Sequence, residues 1–169
     1  MITILCGKSG SGKDTLLGML KDFGFKPLIS TTSRPMRDGE CEGREYYFVS
    51  KSMFLERLES GRMLEYRKYN TLVGGVEDTW YYGLERRELD DRGVYAVILD
   101  LQGAEACQKA YPGQTFTVYV ETNDKKRREW AEKRGSFDKT EWDRRFEDDE
   151  RVFSDTEVAR VCDARIRNN

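Results

Sequence analysis

The sequence predicts an α/β fold with a parallel sheet at its core, on three observations. Short apolar runs alternate with helical patterns along most of the chain. Two of these runs, "ITILC" at 2–6 and "VYAVILD" at 94–100, are apolar almost without a break, as strands covered on both faces are. The first of them passes straight into a glycine-rich turn and then a helix.

The elements follow in order. "KDTLLGMLKDF" is a helix with Leu16, Leu17, Leu20 and Phe23 on its inner side, ended by Gly24. Residues 30–93 break the pattern with short alternating strands, one helix near "SMFLERLES" closed by Gly61, and a hairpin turning at Gly74 and Gly75. This stretch reads as an insertion into the core. After it come a strand at 94–100, a helix in "QGAEACQKAY", a strand in "TFTVYVET" and a helix in "KKRREWAEKRG". A late helix "TEWDRRFEDDERVF" takes Thr140 as its N-cap, and "ARVCDARIRN" gives a final short strand. A second polar insertion lies near 134–141.

Composition narrows the function classes. With 169 residues the chain suits one compact unit with a proper core. A net charge of −2 at 36% charged residues gives no general nucleic-acid binder. No apolar run approaches a membrane span, and "MITILCG" has neither a basic leader nor a cleavage motif. There is no histidine, and Cys6, Cys41, Cys107 and Cys162 are scattered, which excludes histidine catalysis and the usual zinc sites. Unpaired thiols point to a reducing, cytoplasmic setting.

Chemistry concentrates in "GKSGSGKDTLL", residues 7–17. A glycine-rich turn between strand and helix lets backbone N–H groups wrap phosphate oxygens, and the helix N-terminus and a lysine add positive field. Gly7, Ser9, Gly10, Ser11, Gly12 and Lys13 fit that pattern, but Asp14 stands where a Ser or Thr hydroxyl would touch Mg²⁺. A carboxylate is itself a hard oxygen ligand and suits the first turn of a helix, and Thr15 keeps a hydroxyl one residue on. Asp14 and Thr15 are therefore the candidate Mg²⁺ residues.

A second anion site is suggested by "STTSRPMRDGECEGREYYF", residues 30–48, where Arg34, Arg37 and Tyr46 could converge on a phosphate. Taken alone, the same residues also describe a solvated basic turn. Beside a phosphate loop the binding reading gains.

Together these motifs resemble the guanylate kinase family over nearly the whole chain. The first loop is similar to "GKSGSGKDTL", and the family's nucleotide segment resembles Ser30, Thr31, Thr32, Arg34, Arg37, Gly39, Glu40, Gly43, Tyr46 and Phe48. "FLERLESGRMLEY" aligns Glu65 with the family's guanine-reading carboxylate, "YYGL" aligns Tyr82 with a phosphate contact, and "ILDLQG" retains Asp100. "EKRG" and "DRRF" resemble the lid, bringing Arg134 and Arg145 to the transferring phosphate.

The resemblance implies a P-loop nucleoside monophosphate kinase fold. Its core would be 1–29, 94–123 and 142–169, with a small α+β GMP-binding insertion at 30–93 and a lid at 124–141. It implies GMP + ATP ⇌ GDP + ADP, a step of purine nucleotide metabolism, with Mg²⁺ accompanying ATP and the two insertions closing to exclude water. Catalytic Lys13, Arg134 and Arg145 would supply charge. ATP would meet Gly7, Ser9, Gly10, Ser11, Gly12, Lys13, Asp14, Thr15 and Asn168, and GMP would meet Ser30, Arg34, Arg37, Tyr46, Glu65, Tyr82 and Asp100. Glu65 can accept from both N1–H and the exocyclic amine of guanine, a donor pair adenine and cytosine lack on that edge.

Alternatives stay open. Arg134 and Arg145 could instead pair on a helix surface with Glu132, Asp143 and Glu147, and Glu65 could be an exposed strand residue. Lys125, Lys126, Arg127 and Arg128 read as a solvated helix start, and Trp80, Trp130 and Trp142 as packing residues. Leu84 stands where the family has a base-binding hydroxyl, Ile98 replaces one acid of its D-x-D strand end, and 66–81 is longer than its usual connection. The sequence ends at "RIRNN", near the family's adenine-edge loop and without its closing helix. A kinase for another (deoxy)nucleoside monophosphate, or a catalytically silent phosphopeptide-binding relative, are the rival readings.

Overall fold

The computed structural model describes residues 1–73, 76–133 and 137–168. They form two compact units, 1–27 with 91–169, and 28–90.

The first unit is a five-stranded parallel sheet. Its strands are β1 (Ile2–Cys6), β2 (Lys26–Pro27), β7 (Tyr95–Ile98), β8 (Thr115–Glu121) and β9 (Ala164–Arg167), in the order β2-β7-β1-β8-β9. Strand β1 is the middle strand, so its carboxyl end opens at the centre of the sheet edge where α/β proteins place their ligands. The helices are α1 (Lys13–Asp22), α3 (Leu101–Ala110), α4 (Asp124–Glu132), α5 (Lys139–Val152) and α6 (Asp155–Val161). Ile2, Ile4, Leu5, Val97 and Val120 are buried, which explains the unbroken apolar runs. Leu16, Leu17 and Leu20 pack α1 against Leu5, Val118 and Val120.

Four local expectations are corrected. Phe23 is 81% exposed rather than inward, because α1 ends at Asp22 and the chain has already turned toward Gly24. The N-cap of α5 is Asp138, whose carboxylate accepts from Glu141 N–H at 2.8 Å, so the helix starts before Thr140. The segment expected as one final strand is the end of α6 followed by β9. Arg127 is not on a solvated helix start but fully buried.

The second unit holds β3 (Thr31–Thr32), β4 (Tyr47–Phe48), β5 (Met63–Val73), β6 (Val76–Glu85) and α2 (Lys51–Glu59). Its sheet runs β4-β3-β6-β5, with β5 and β6 an antiparallel pair; Gly74 and Gly75, where the sequence predicts the hairpin turn, lie outside the described residues. Ser50 caps α2 through Met53 N–H, and Gly61 follows the helix at φ 71°. Helix α2 covers one sheet face, its buried Phe54 lying 5.4 Å from the Tyr81 ring. Alternation puts Tyr82 on the opposite face, with Glu65, Arg67 and Tyr69 along β5. An irregularity between Met63 and Glu65 sets that register.

Candidate functional sites in the two units

The glycine loop begins where β1 stops. Gly7, Gly10 and Gly12 have φ of 153°, 75° and 87°, the last as the left-handed N-cap of α1. The space is as demanding as the angles. A Cβ on Gly7 would stand 2.6 Å from Val120 O, and one on Gly12 2.4 Å from the Asn168 side chain. Lys13 folds back over the loop, donating to Gly7 O at 2.7 Å and Lys8 O at 2.9 Å. Burial lowers its pKa below the ordinary lysine value, against the opposing charges of Asp14 and Asp149. Asn168 and Thr122 side chains both donate to Ser11 O, at 2.9 and 3.1 Å. Asn168, Ser9, Ser11 and Lys13 are thus gathered at one loop. Asp14 and Thr15 lie exposed in the first turn of α1.

The brace behind this loop escaped sequence reading. Asp149 accepts from Ser9 N–H at 2.7 Å and from Arg127 Nη2 at 2.6 Å, and Arg127 Nε donates to Ser9 O at 2.8 Å. Arg127 also pairs with Asp124 and lies over the rings of Trp142 and Phe146 at 5.7 and 5.6 Å. Burial pushes the Asp149 carboxyl up, while the Ser9 N–H and the Arg127 charge pull it down. One signal was present: Trp142, Phe146 and Asp149 share a helix face, so an acid sits on a core-facing stripe. Nothing local marks Arg127 apart from its neighbours.

Lys8 pairs with Glu150 of α5, next to the brace. Arg145 is ion-paired on the α5 surface, donating to Glu141 at 2.7 Å; its partner is none of the three acids expected from sequence. Arg134 lies outside the described residues. Asp100 caps α3, accepting from Gly103 N–H at 2.7 Å, so it belongs to the first unit, at the carboxyl end of β7.

In the second unit, Arg34 is buried and gripped by Glu40 through two bonds of 2.8 Å. Glu40 also accepts from Arg37 N–H at 2.8 Å, which ties the two arginine positions into one loop. Its carboxyl is lowered, chiefly by the Arg34 hydrogen bonds. The Arg34 guanidinium lies 5.5 Å from the Tyr46 ring and 5.6 Å from that of Phe48, and Tyr46 meets Tyr82 edge-on at 5.7 Å. Arg37 is exposed, and Ser30 accepts from Tyr47 N–H through its carbonyl. Arg34, Tyr46 and Tyr82 are thus assembled; the role of Glu40 as their clamp was missed.

Glu65 is not an exposed strand residue: its side chain is 8% exposed. One oxygen accepts from Leu84 N–H at 2.9 Å and the other lies 3.5 Å from the Arg67 guanidinium. The Leu84 side chain is buried.

The family model for guanylate kinase matches residues 1–169. A guanylate kinase of Wolinella succinogenes is 36% identical over 147 residues, covering 82% of this chain and 64% of that protein. One of Chlamydia felis is 38% identical over 119 residues, 66% of this chain and 53% of that protein. The matched segments therefore span about two thirds or less of these relatives. The crystal structure of guanylate kinase from Anaplasma phagocytophilum shares the fold at TM-score 0.62, with 22% identity over 100% of this chain and 77% of that one. The whole-length family match, together with the glycine loop and its lysine, shows that the chain belongs to the guanylate kinase family.

Proposed function

We propose that the protein phosphorylates GMP to GDP with ATP. The observation that carries this is the glycine loop, in which left-handed glycines and the back-folded Lys13 stand at the N-terminus of α1. Such a loop supplies backbone donors and a cation for the phosphates of ATP. Lys13 neutralises the transferring group, the Asp149–Arg127 brace keeps Ser9 N–H in register, and Asn168 steadies the loop carbonyl. Arg34, Arg37, Tyr46, Tyr82 and Ser30 take the monophosphate, with Asp100 as a further GMP contact. Arg145 and Arg134 add charge at the migrating phosphate, Arg145 by exchanging Glu141 for it.

Glu65 reads the base. Its oxygens accept from guanine N1–H and the exocyclic amine, and a base lacking these donors leaves a desolvated carboxylate poorly paired. Asp14 and Thr15 offer hard oxygen ligands in the first turn of α1, and this fits Mg²⁺, which takes few protein ligands beside phosphate oxygens. The ion would neutralise phosphate charge; Asp14 and Thr15 would hold it.

Among the described residues no helix is long and apolar enough to cross a membrane. The nucleotide substrates and the four free thiols support a cytoplasmic location.

Turnover of GMP, dGMP, AMP, CMP and dTMP under identical ATP–Mg²⁺ tests the reading, with GMP expected to rank first. GMP below the others would transfer the protein to another monophosphate, a reading that the apolar Leu84 favours. No ADP formation, with phosphopeptide binding independent of GMP, would make it a silent binding module.

A further inference from the structure

Beside Glu65 stands a cation that the reading above does not use. Arg67 follows Glu65 by two residues on β5, so both side chains share the sheet face opposite α2. Glu65 is held from two sides: Oε1 accepts from Leu84 N–H at 2.9 Å, and Oε2 lies 3.5 Å from Arg67 Nη1. Arg67 also donates to Tyr66 O at 2.6 Å, which fixes its guanidinium near the carboxylate. Leu84, directly across from Glu65, offers the face only an alkyl side chain.

Guanine's polar edge carries, in order, the exocyclic amine, N1–H and O6: two donors and then an acceptor. Glu65 alone complements the two donors. A base placed with its amine toward Arg67 would set donors against a cation. The opposite placement puts the amine at Oε1, N1–H at Oε2 and O6 against the guanidinium. We propose that Arg67 is a specificity residue that donates to guanine O6, so that Glu65 and Arg67 together form the acceptor–acceptor–donor complement of the base. This rests on Glu65 being the base reader. It also supplies the donor that the Leu84 side chain cannot.

The test compares GMP with 6-thioguanosine 5′-monophosphate, which keeps both donors and replaces only O6 by the weaker acceptor sulfur. Parent protein should favour GMP in kcat/KM by about 10-fold or more, the scale of one charge-assisted hydrogen bond. Arg67→Met should lower kcat/KM for GMP by about 10- to 100-fold, mainly through KM, and bring the two substrates level. Arg67→Lys should restore part of the preference. Equal losses on both substrates in Arg67→Met would show a residue that only steadies Glu65 and would overturn the proposal. Calorimetric binding of the two monophosphates without ATP gives the same comparison free of turnover. Glu65→Gln with GMP and IMP, which lacks the amine, separates the levels. If its GMP preference over IMP stays intact, the base-reader assignment fails; if that preference collapses while Arg67→Met keeps the sulfur discrimination, only the Arg67 proposal fails.

Discussion

The two candidate anion-binding regions are held together in contrasting ways. The glycine loop depends on residues far along the chain: Ser9 is tied to Arg127 and Asp149, and Ser11 to Thr122 and Asn168. The arginine loop of the second unit is held chiefly at short range, with Glu40 gripping Arg34 six residues away and the Arg37 amide beside it, and Arg34 reaching Tyr82 of β6 as well. The first therefore exists only when the sheet and α5 are in place. The second is preformed by a short local clamp. A loop proposed to wrap a polyphosphate gains rigidity from the whole fold, whereas a clamp built within one loop can be retuned without touching the core.

Breaking each region in turn sharpens the contrast. Lys13→Ala should have the largest effect, lowering turnover by about three orders of magnitude with an unchanged circular dichroism spectrum, because the ammonium serves the loop and its ligand. Turnover near that of the parent would remove the loop from catalysis. Asp149→Ala should come next. It leaves the buried Arg127 guanidinium with the exposed Asp124 as its remaining acidic partner, which costs about 3 kcal/mol in urea unfolding, with turnover falling as Ser9 loses its anchor. A variant as stable as the parent would show that the brace is dispensable. Glu40→Gln should act locally, raising KM for GMP by about 10-fold while KM for ATP holds, with an unfolding midpoint close to the parent's. Equal changes in both KM values would contradict a self-contained clamp.

The smallest effect concerns acid stability. Glu141 loses some solvation, but the hydrogen bonds of Arg144 and Arg145 hold its carboxyl at about 2, below the ordinary value of 4.5. A depressed carboxylate stabilises the fold above pH 4.5, and that stabilisation is lost as pH falls toward 2. The difference in melting temperature between the parent and Glu141→Gln should therefore be small at pH 6 and vanish near pH 2. A difference that grows on acidification would reverse the sign.

The same contrast explains what could be read from sequence. The β1–loop–α1 unit was legible because strand, glycines, lysine and helical stripe are adjacent, and each obeys a local rule. The β7, α3, β8 and α4 segments were legible for the same reason. The Asp149–Arg127 brace was not, because it joins side chains from three segments that meet only in the folded sheet. Helix α6 is a different case. Its signature, Ser154 followed three residues later by Glu157, was present, and Ser154 indeed accepts from Glu157 N–H at 3.3 Å. Its seven residues are too few for periodicity to stand out beside the strand that follows. Phe23 was misplaced because a helical period was carried one residue past the last turn. In the second unit, Arg34, Tyr46 and Glu65 were singled out through motif resemblance. Spacing alone would have left Arg34 and Glu65 as surface charges, whereas Arg34 is buried and the Glu65 side chain is largely covered.

The central claim is that two separate sites, one beside Lys13 and one around Arg34 and Arg37, each take their own nucleotide. Calorimetric titration of ATP–Mg²⁺ and of GMP into Lys13→Ala and into Arg37→Ala tests it most directly. The first variant should lose ATP binding and keep GMP binding, and the second should do the reverse. Loss of GMP affinity in Lys13→Ala with ATP affinity intact would contradict the account.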